Sequence, residues 1–209
     1  SGVVSYPELL LSDMPEKTPF RDALLLIKNS GEKAAAIVQD LLTLARRGVA
    51  ISTVVNLNGI IEDYLQSPEF LKLKTYHPEV ECKVELKDGL YNNLGSPVHL
   101  SKTIMNLISN AAEAMPDGGT ITVSSENTTI DNPIKGYTDL KKGRYTLITV
   151  SDTGVGSAAE ELERIFEPFY TKTVMGRSGT GLGMAVVWGT VHDHNGYIDI
   201  KSTPGEGTT

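Results

Sequence analysis

A single cysteine, Cys82, among 209 residues excludes an intramolecular disulfide. Its alternating sequence context suits a small, half-buried side chain in a reducing compartment. Long apolar runs are also missing: none approaches the about 18 residues that a membrane-spanning helix needs, and no signal-peptide pattern occurs. The expectation is a soluble, cytoplasmic chain that makes no membrane contact. Positive charge is in deficit, with 19 Lys and Arg against 26 Asp and Glu and a formal net charge of −7. Nothing in that balance favours nucleic acid or an anionic membrane as a partner. Neither Gly-x-x-x-x-Gly-Lys nor His-Arg-Asp occurs, so the P-loop and protein-kinase signatures are absent. Internal repeats and low-complexity tracts are lacking. The chain begins without methionine, inside a helix-like run, so a piece of a longer protein is expected.

What is present centres on Gly179-Thr180-Gly181-Leu182-Gly183-Met184. Three glycines at alternate positions bare one short backbone segment, and an apolar, helix-compatible run follows over residues 184–191. A glycine loop that opens a helix points unpaired N–H groups and the positive dipole end outward, where a phosphate can sit. In isolation the same loop would serve as a hinge or linker.

Upstream, residues 3–11 are apolar and helix-compatible, broken by Pro7 and ended by Ser12-Asp13-Met14-Pro15. Thr18 and Pro19 make an N-cap and first-turn pair for a long helix to Arg47, closed by Gly48. Phe20, Leu24, Ile27, Gly31, Ala34, Val38, Leu41 and Ala45 recur at alternating four- and three-residue spacing, and Ala23, Ile37 and Leu44 widen the stripe. Such a seam suits a helical hairpin that pairs with a second copy into a four-helix bundle. The competing reading is an amphipathic helix packed on its own domain. Strands are predicted over residues 51–55, 80–86, 120–125, 145–150 and 196–201, and helices over 56–66 and 96–115, with 127–142 as a connection. The order of elements predicts an α+β sandwich, a mixed sheet with helices on one face.

On the helix over 96–115, Asn106 and Asn110 share a face, with Glu113 a turn further on. Asparagine is a poor helix-interior residue, and two amide oxygens there suit a hard cation such as Mg²⁺. A solvated polar face would carry the same pattern. Asp152-Thr153-Gly154-Val155-Gly156 follows a strand directly, so a carboxylate stands at its end and two glycines let a flat ring lie against bare backbone. An amino-bearing purine fits that pair of features, and so does an ordinary tight turn. Phe166-Glu167-Pro168-Phe169 reads as a compact anchor, followed by a small, polar run over 173–178 and then by the glycines. That is the order of an anchored lid.

Together these stretches resemble sensor histidine kinases. Asn106-Leu-Ile-Ser-Asn110-Ala-Ala-Glu113-Ala is similar to the N box, Asp152-Thr-Gly154-Val-Gly156 to the G1 box, Phe166-Glu-Pro-Phe169-Tyr-Thr-Lys172 to the F box, and Gly179-Thr180-Gly181-Leu182-Gly183-Met to the G2 box. The resemblance implies a Bergerat-type fold that binds ATP with Mg²⁺. It implies that Asn110 ligates Mg²⁺, that Asp152 holds the adenine amino group, and that Asn106 and Lys172 act at the phosphates. Residues 170–180 would close over the nucleotide as a lid, and Thr208, in the closing Gly205-Glu-Gly207-Thr208-Thr209, would help to hold adenine. Residues 1–47 resemble part of the dimerisation and phosphoacceptor hairpin, leaving 48–52 as a linker and 53–209 as the catalytic domain without its final strand.

The expected activity is transfer of the ATP γ-phosphoryl group to a histidine on the hairpin, for relay to a response-regulator receiver domain, within a homodimer joined by the hairpin. The acceptor histidine is expected upstream of Ser1, because His77, His99, His192 and His194 all lie outside the hairpin and read as surface or helix-end residues. ATPases on the same fold place a water-activating glutamate where this chain has Asn106, which favours a kinase. A Bergerat-fold ATPase, a non-catalytic nucleotide-binding dimerisation module and a protein-serine kinase of the anti-sigma type are the alternatives.

Overall fold

Residues 2–15, 18–45, 53–131, 140–171 and 180–209 are described by a computed structural model of the chain, which divides into two units, Ser1–Ala45 and Arg46–Thr209. The expected linker, residues 48–52, lies outside the described residues.

The first unit is a pair of packed helices, α1 (Gly2–Asp13) and α2 (Arg21–Ala45). Gly31 of α2 lies against α1, where an added Cβ would come 3.0 Å from Val4 and 3.1 Å from Val3, and Lys28 reaches across to Glu8 at 3.1 Å. Two expectations need correction. Pro7 does not break α1 but is buried within it. Thr18 does not cap α2: its hydroxyl donates back to the Pro15 carbonyl at 2.7 Å, its own carbonyl accepts from Arg21 N–H, and the helix starts at Arg21. Leu25, Leu26, Ile27, Val38, Leu41 and Leu42 of α2 remain exposed.

In the second unit, β1 (Thr53–Val55) leads into α3 (Leu57–Leu65), whose N-cap Asn56 accepts from the Asn58 N–H at 3.0 Å. Next come α4 (Pro68–Tyr76), β2 (Val80–Leu86), β3 (Asn93–Gly95) and α5 (Pro97–Glu113). Ser67 and Ser96 cap α4 and α5, each followed by proline in the first turn. The sequence reading leaves α4 unassigned, although Ser67-Pro68 carries the same start signal as Ser96-Pro97. Nine residues with a weakly segregated apolar face hide it.

Strands β4 (Gly119–Ile130) and β5 (Gly143–Asp152) then pair antiparallel along ten residue pairs, from Ile121↔Asp152 to Ile130↔Gly143. Both outrun their predicted bounds, because a backbone ladder continues through polar side chains as readily as through apolar ones. The short α6 (Ala159–Leu162), α7 (Gly183–Asp193), β6 (Ser202–Thr203) and β7 (Gly207–Thr208) complete the order. The strand expected over 196–201 is not formed: of those residues only Lys201 reaches the ladder, exchanging backbone hydrogen bonds with Thr209 at 2.9 and 2.7 Å just ahead of β6.

Five strands form one mixed sheet in the order β2-β4-β5-β7-β6, with only β2 and β4 parallel, while β1 and β3 pair separately. Helices α3, α4 and α5 cover the face that carries Ile121 and Val123, so Ile61, Tyr64, Phe70, Ile104, Ile108 and Ala112 meet those strand residues in one core. The α+β sandwich expected from the sequence is the fold observed. Ile108, at the middle of α5, is fully buried. Ile108→Ala is expected to lower unfolding free energy by about 2–5 kcal/mol in a denaturant titration, from lost burial plus the cavity left behind.

Candidate nucleotide site

Helix α5 holds both ends of the site. At its C-terminal end the Ala114 carbonyl accepts the Val155 N–H at 3.0 Å, and a Cβ on Gly154 would come 2.5 Å from that same oxygen. Thr153 ties the turn to the start of β4: its hydroxyl accepts from Thr120 N–H at 3.1 Å and its own N–H donates to the Thr120 carbonyl. On the other side Gly205 N–H donates to the Val155 carbonyl at 2.8 Å, and Gly156, at φ +63°, lies so close to Thr203 that a side chain would overlap its carbonyl oxygen. The Asp152–Gly156 turn is thus clamped between the end of α5 and the β6–β7 hairpin.

Asp152 ends β5 with its carboxylate accepting the Gly154 N–H at 2.8 Å. Burial pushes its carboxyl above the ordinary carboxylate range, opposed by the N–H donors of Gly154 and Thr208. Register carries the arrangement across the sheet. Cys82, Ile121, Asp152, Thr208 and Ser202 are consecutive cross-strand partners from β2 to β6, so their side chains share one face. The row passes from fully buried Ile121 to partly exposed Asp152, Thr208 and Ser202.

At the other end of the site, Asn106 is buried on α5 and donates Nδ2 to the Gly183 carbonyl at 3.1 Å, fixing the first residue of α7. Asn110 and Glu113 are exposed on the same helix. Asn106 and Ala114 are about 12 Å apart along the helix axis at 1.5 Å per residue. That span suits an elongated ligand such as a nucleoside triphosphate.

Leu182, fully buried, and Gly181, at φ +68°, lead into α7, and Leu182 N–H is held by the Thr180 hydroxyl at 3.2 Å. Phe169, also at φ +68°, donates its N–H to the Gly181 carbonyl at 2.8 Å, and a Cβ on Gly181 would come 2.7 Å from the Phe169 carbonyl carbon. These contacts bring together the two ends of the expected lid. Lys172 and Gly179, both expected site residues, lie outside the described residues. The phenylalanine anchor needs correction: Phe166 packs on Trp188 with ring centroids 4.7 Å apart, whereas Phe169 is 50% exposed and is held by its backbone.

Asp152, Gly154, Gly156 and Thr208 therefore meet at one end of α5, and Asn106, Thr180, Gly181, Leu182 and Gly183 at its middle. The sequence reading missed Ser202, for which a serine beside a strand-like run carries no signal, and the Ala114 carbonyl. Among the described residues no cluster of three or more His, Cys, Asp or Glu could hold a metal ion. On α5 the exposed side-chain amide of Asn110 and the carboxylate of Glu113 carry hard oxygen donors.

A clamped turn with an acceptor carboxylate, a glycine-opened helix and a mixed sheet behind them define a nucleotide-binding α+β sandwich. The chain belongs to the histidine kinase-, DNA gyrase B- and HSP90-like ATPase family, whose model matches residues 95–209. The sensor kinase CckA of Brucella abortus is 31% identical over 210 residues, an alignment that takes in 100% of this chain and 22% of CckA. This chain therefore spans about a fifth of that relative's length. Among solved structures, full-length ShkA in complex with AMPPNP superposes with a TM-score of 0.71 at 21% identity, covering 99% of this chain and 41% of ShkA. Histidine kinase ThkA in complex with response regulator protein TrrA gives a TM-score of 0.63 at 18% identity, covering 98% of this chain and 56% of ThkA. At such identities the two structures speak for the fold.

Proposed function

We propose that the chain is the ATP-binding kinase core of a two-component sensor histidine kinase. The observation that carries this reading is Asn106: a buried amide, bonded to the Gly183 carbonyl at 3.1 Å, stands where an ATPase on this fold would need a carboxylate base. An amide cannot take a proton from water, so hydrolysis is slow and a positioned nitrogen nucleophile is preferred. The sequence relationship to a sensor kinase supports the same conclusion.

Asp152 accepts from the adenine amino group with Thr208 beside it, and Gly154 and Gly156 give the ring room. Asn110 would hold Mg²⁺ through its side-chain amide oxygen, and the ion would supply neutralisation of the phosphate charge. Asn106 and Lys172 are assigned to act at the phosphates, with Gly179, Thr180, Gly181, Leu182, Gly183 and Glu113 as further nucleotide contacts. In the reaction the bond from the γ-phosphorus to the β–γ bridging oxygen breaks and a bond from phosphorus to an imidazole nitrogen forms in line with it. ADP leaves with the electron pair.

None of the four histidines lies within residues 1–47, so on this reading the acceptor is not one of the hairpin residues of this chain. The exposed leucines of α2 suit a homodimer through the hairpin, with 48–52 linking it to a catalytic domain over 53–209. A response-regulator receiver domain is the downstream partner, as TrrA is bound by ThkA. No described helix is long and apolar enough to cross a membrane, and the core is assigned to the cytoplasm, where ATP is available.

The test supplies this chain with γ-labelled ATP, Mg²⁺ and a separate hairpin fragment that carries a histidine. Acid-labile label is expected on the fragment and none on the chain. Release of the label as free phosphate would instead identify an ATPase, and label on the chain itself would place the acceptor among its own four histidines.

A further inference from the structure

The Ser202 hydroxyl takes part in three hydrogen bonds. It accepts from Ser157 N–H at 2.8 Å, donates to the Gly207 carbonyl at 3.0 Å, and lies 2.8 Å from Thr208 Oγ1. A hydroxyl has one hydrogen and two lone pairs. With that hydrogen directed to Gly207, Ser202 can meet Thr208 only as an acceptor. Thr208 must then donate, so its hydroxyl hydrogen is committed and the rest of its oxygen offers only lone pairs. Thr208 and Asp152 are direct cross-strand partners on one face of the sheet, with Cβ atoms about 5 Å apart as is usual for such pairs. Asp152, as a carboxylate, also offers only lone pairs. Two acceptors therefore stand side by side at the end of β5.

We propose that Ser202 is a positioning residue that makes this site choose a 6-aminopurine over a 6-oxopurine, by holding the Thr208 hydroxyl as an acceptor beside Asp152. The proposal rests on the nucleotide reading above. An exocyclic amine brings two hydrogens to two acceptors, whereas an oxo group would face lone pairs on both sides and leave them unpaired. Without Ser202 the Thr208 hydroxyl is free to rotate and donate to an oxo group. The choice of base is then set in part by a residue one strand away from the ligand.

The experiment measures equilibrium binding of ATP and of ITP, its 6-oxo counterpart, to the whole chain and to Ser202→Ala, Ser202→Thr and Thr208→Val, with melting curves for each. Ser202→Ala is expected to narrow the preference for ATP by about tenfold, the effect of one hydrogen bond changing sense. Ser202→Thr, which keeps the hydroxyl, should retain it. Ser202→Ala should have no further effect on the preference in a Thr208→Val background, since it acts through the hydroxyl already removed. Should the alanine variant unfold, Ser202→Cys keeps the volume with a poor hydrogen-bonding group and gives the same reading. Equal weakening of ATP and ITP by Ser202→Ala would show a merely structural serine and overturn the proposal. Failure of the unsubstituted chain to bind either nucleotide would overturn the nucleotide reading itself.

Discussion

Asp152→Asn is expected to weaken ATP binding by about 100-fold or more while leaving the melting temperature within a few degrees, because it turns one of the site's acceptors into a donor. The substituted amide oxygen can still take the Gly154 N–H at 2.8 Å, so the turn keeps its bond. Its NH₂ group then faces the Thr208 N–H and the incoming adenine amine, donor against donor. Calorimetry on the two proteins checks the affinity, and a binding constant unchanged by the substitution would remove Asp152 from the site.

Titration of the same group gives a second reading with two opposite signs. Burial raises the Asp152 carboxyl in the folded chain, so folding favours its protonated form. The stabilisation linked to that proton is complete below the unfolded-state value and is lost as pH rises through the folded one. Ligand-free stability from this group thus improves on acidification. Affinity for ATP moves the other way, since the carboxylate is the better acceptor for an amine and is lost as pH falls. In Asp152→Asn the contribution of this group to both trends should vanish.

Gly207→Ala is expected to cost about 3 kcal/mol or more of stability and to abolish nucleotide binding along with it. Gly207 has φ +104°, where an L side chain is strained, and a Cβ there would fall well inside van der Waals contact with the Asp152 carbonyl oxygen. The methyl group can be admitted only by parting β7 from β5, which moves Thr208 away from Asp152. Gly205→Ala provides the control: its φ is +83°, but nothing lies within 4 Å of the added Cβ. It should carry only the conformational penalty of about 1–2 kcal/mol and still bind ATP. Thermal melts and nucleotide titration of both variants separate strain from collision, and equal behaviour of the two would argue against a close β5–β7 packing.

How much of this was legible beforehand follows from the range over which each signal acts. Helix α5 was readable because Ser96-Pro97 starts it and its apolar positions repeat on one face, and β2 because Val80 to Leu86 alternates. Asn106, Asn110, Asp152 and the glycines before Met184 could be picked out as chemistry because each lies in a short stretch unusual for its element. The expected strand over 196–201 failed for a complementary reason: alternation shows that residues can be extended, but the partner decides where a ladder forms. The sequence reads Phe169 as half of an apolar anchor, because its type says nothing of the left-handed φ at which its backbone sits or of its exposure.

The sequence by itself determined the kinds of element, the residues able to do chemistry and the order of the motifs, all of which depend on neighbours within a few positions along the chain. Only the tertiary structure decided that Asp152, Thr208 and Ser202 stand in one row, that α5 clamps both the turn after β5 and the start of α7, and that Ser202 belongs to the site at all. Those placements come from strand register and, apart from the local Ser202–Thr208 pairing, from hydrogen bonds between residues about forty or more positions apart. Register depends on the summed fit of whole strands rather than on any one residue, and so leaves no local mark to read.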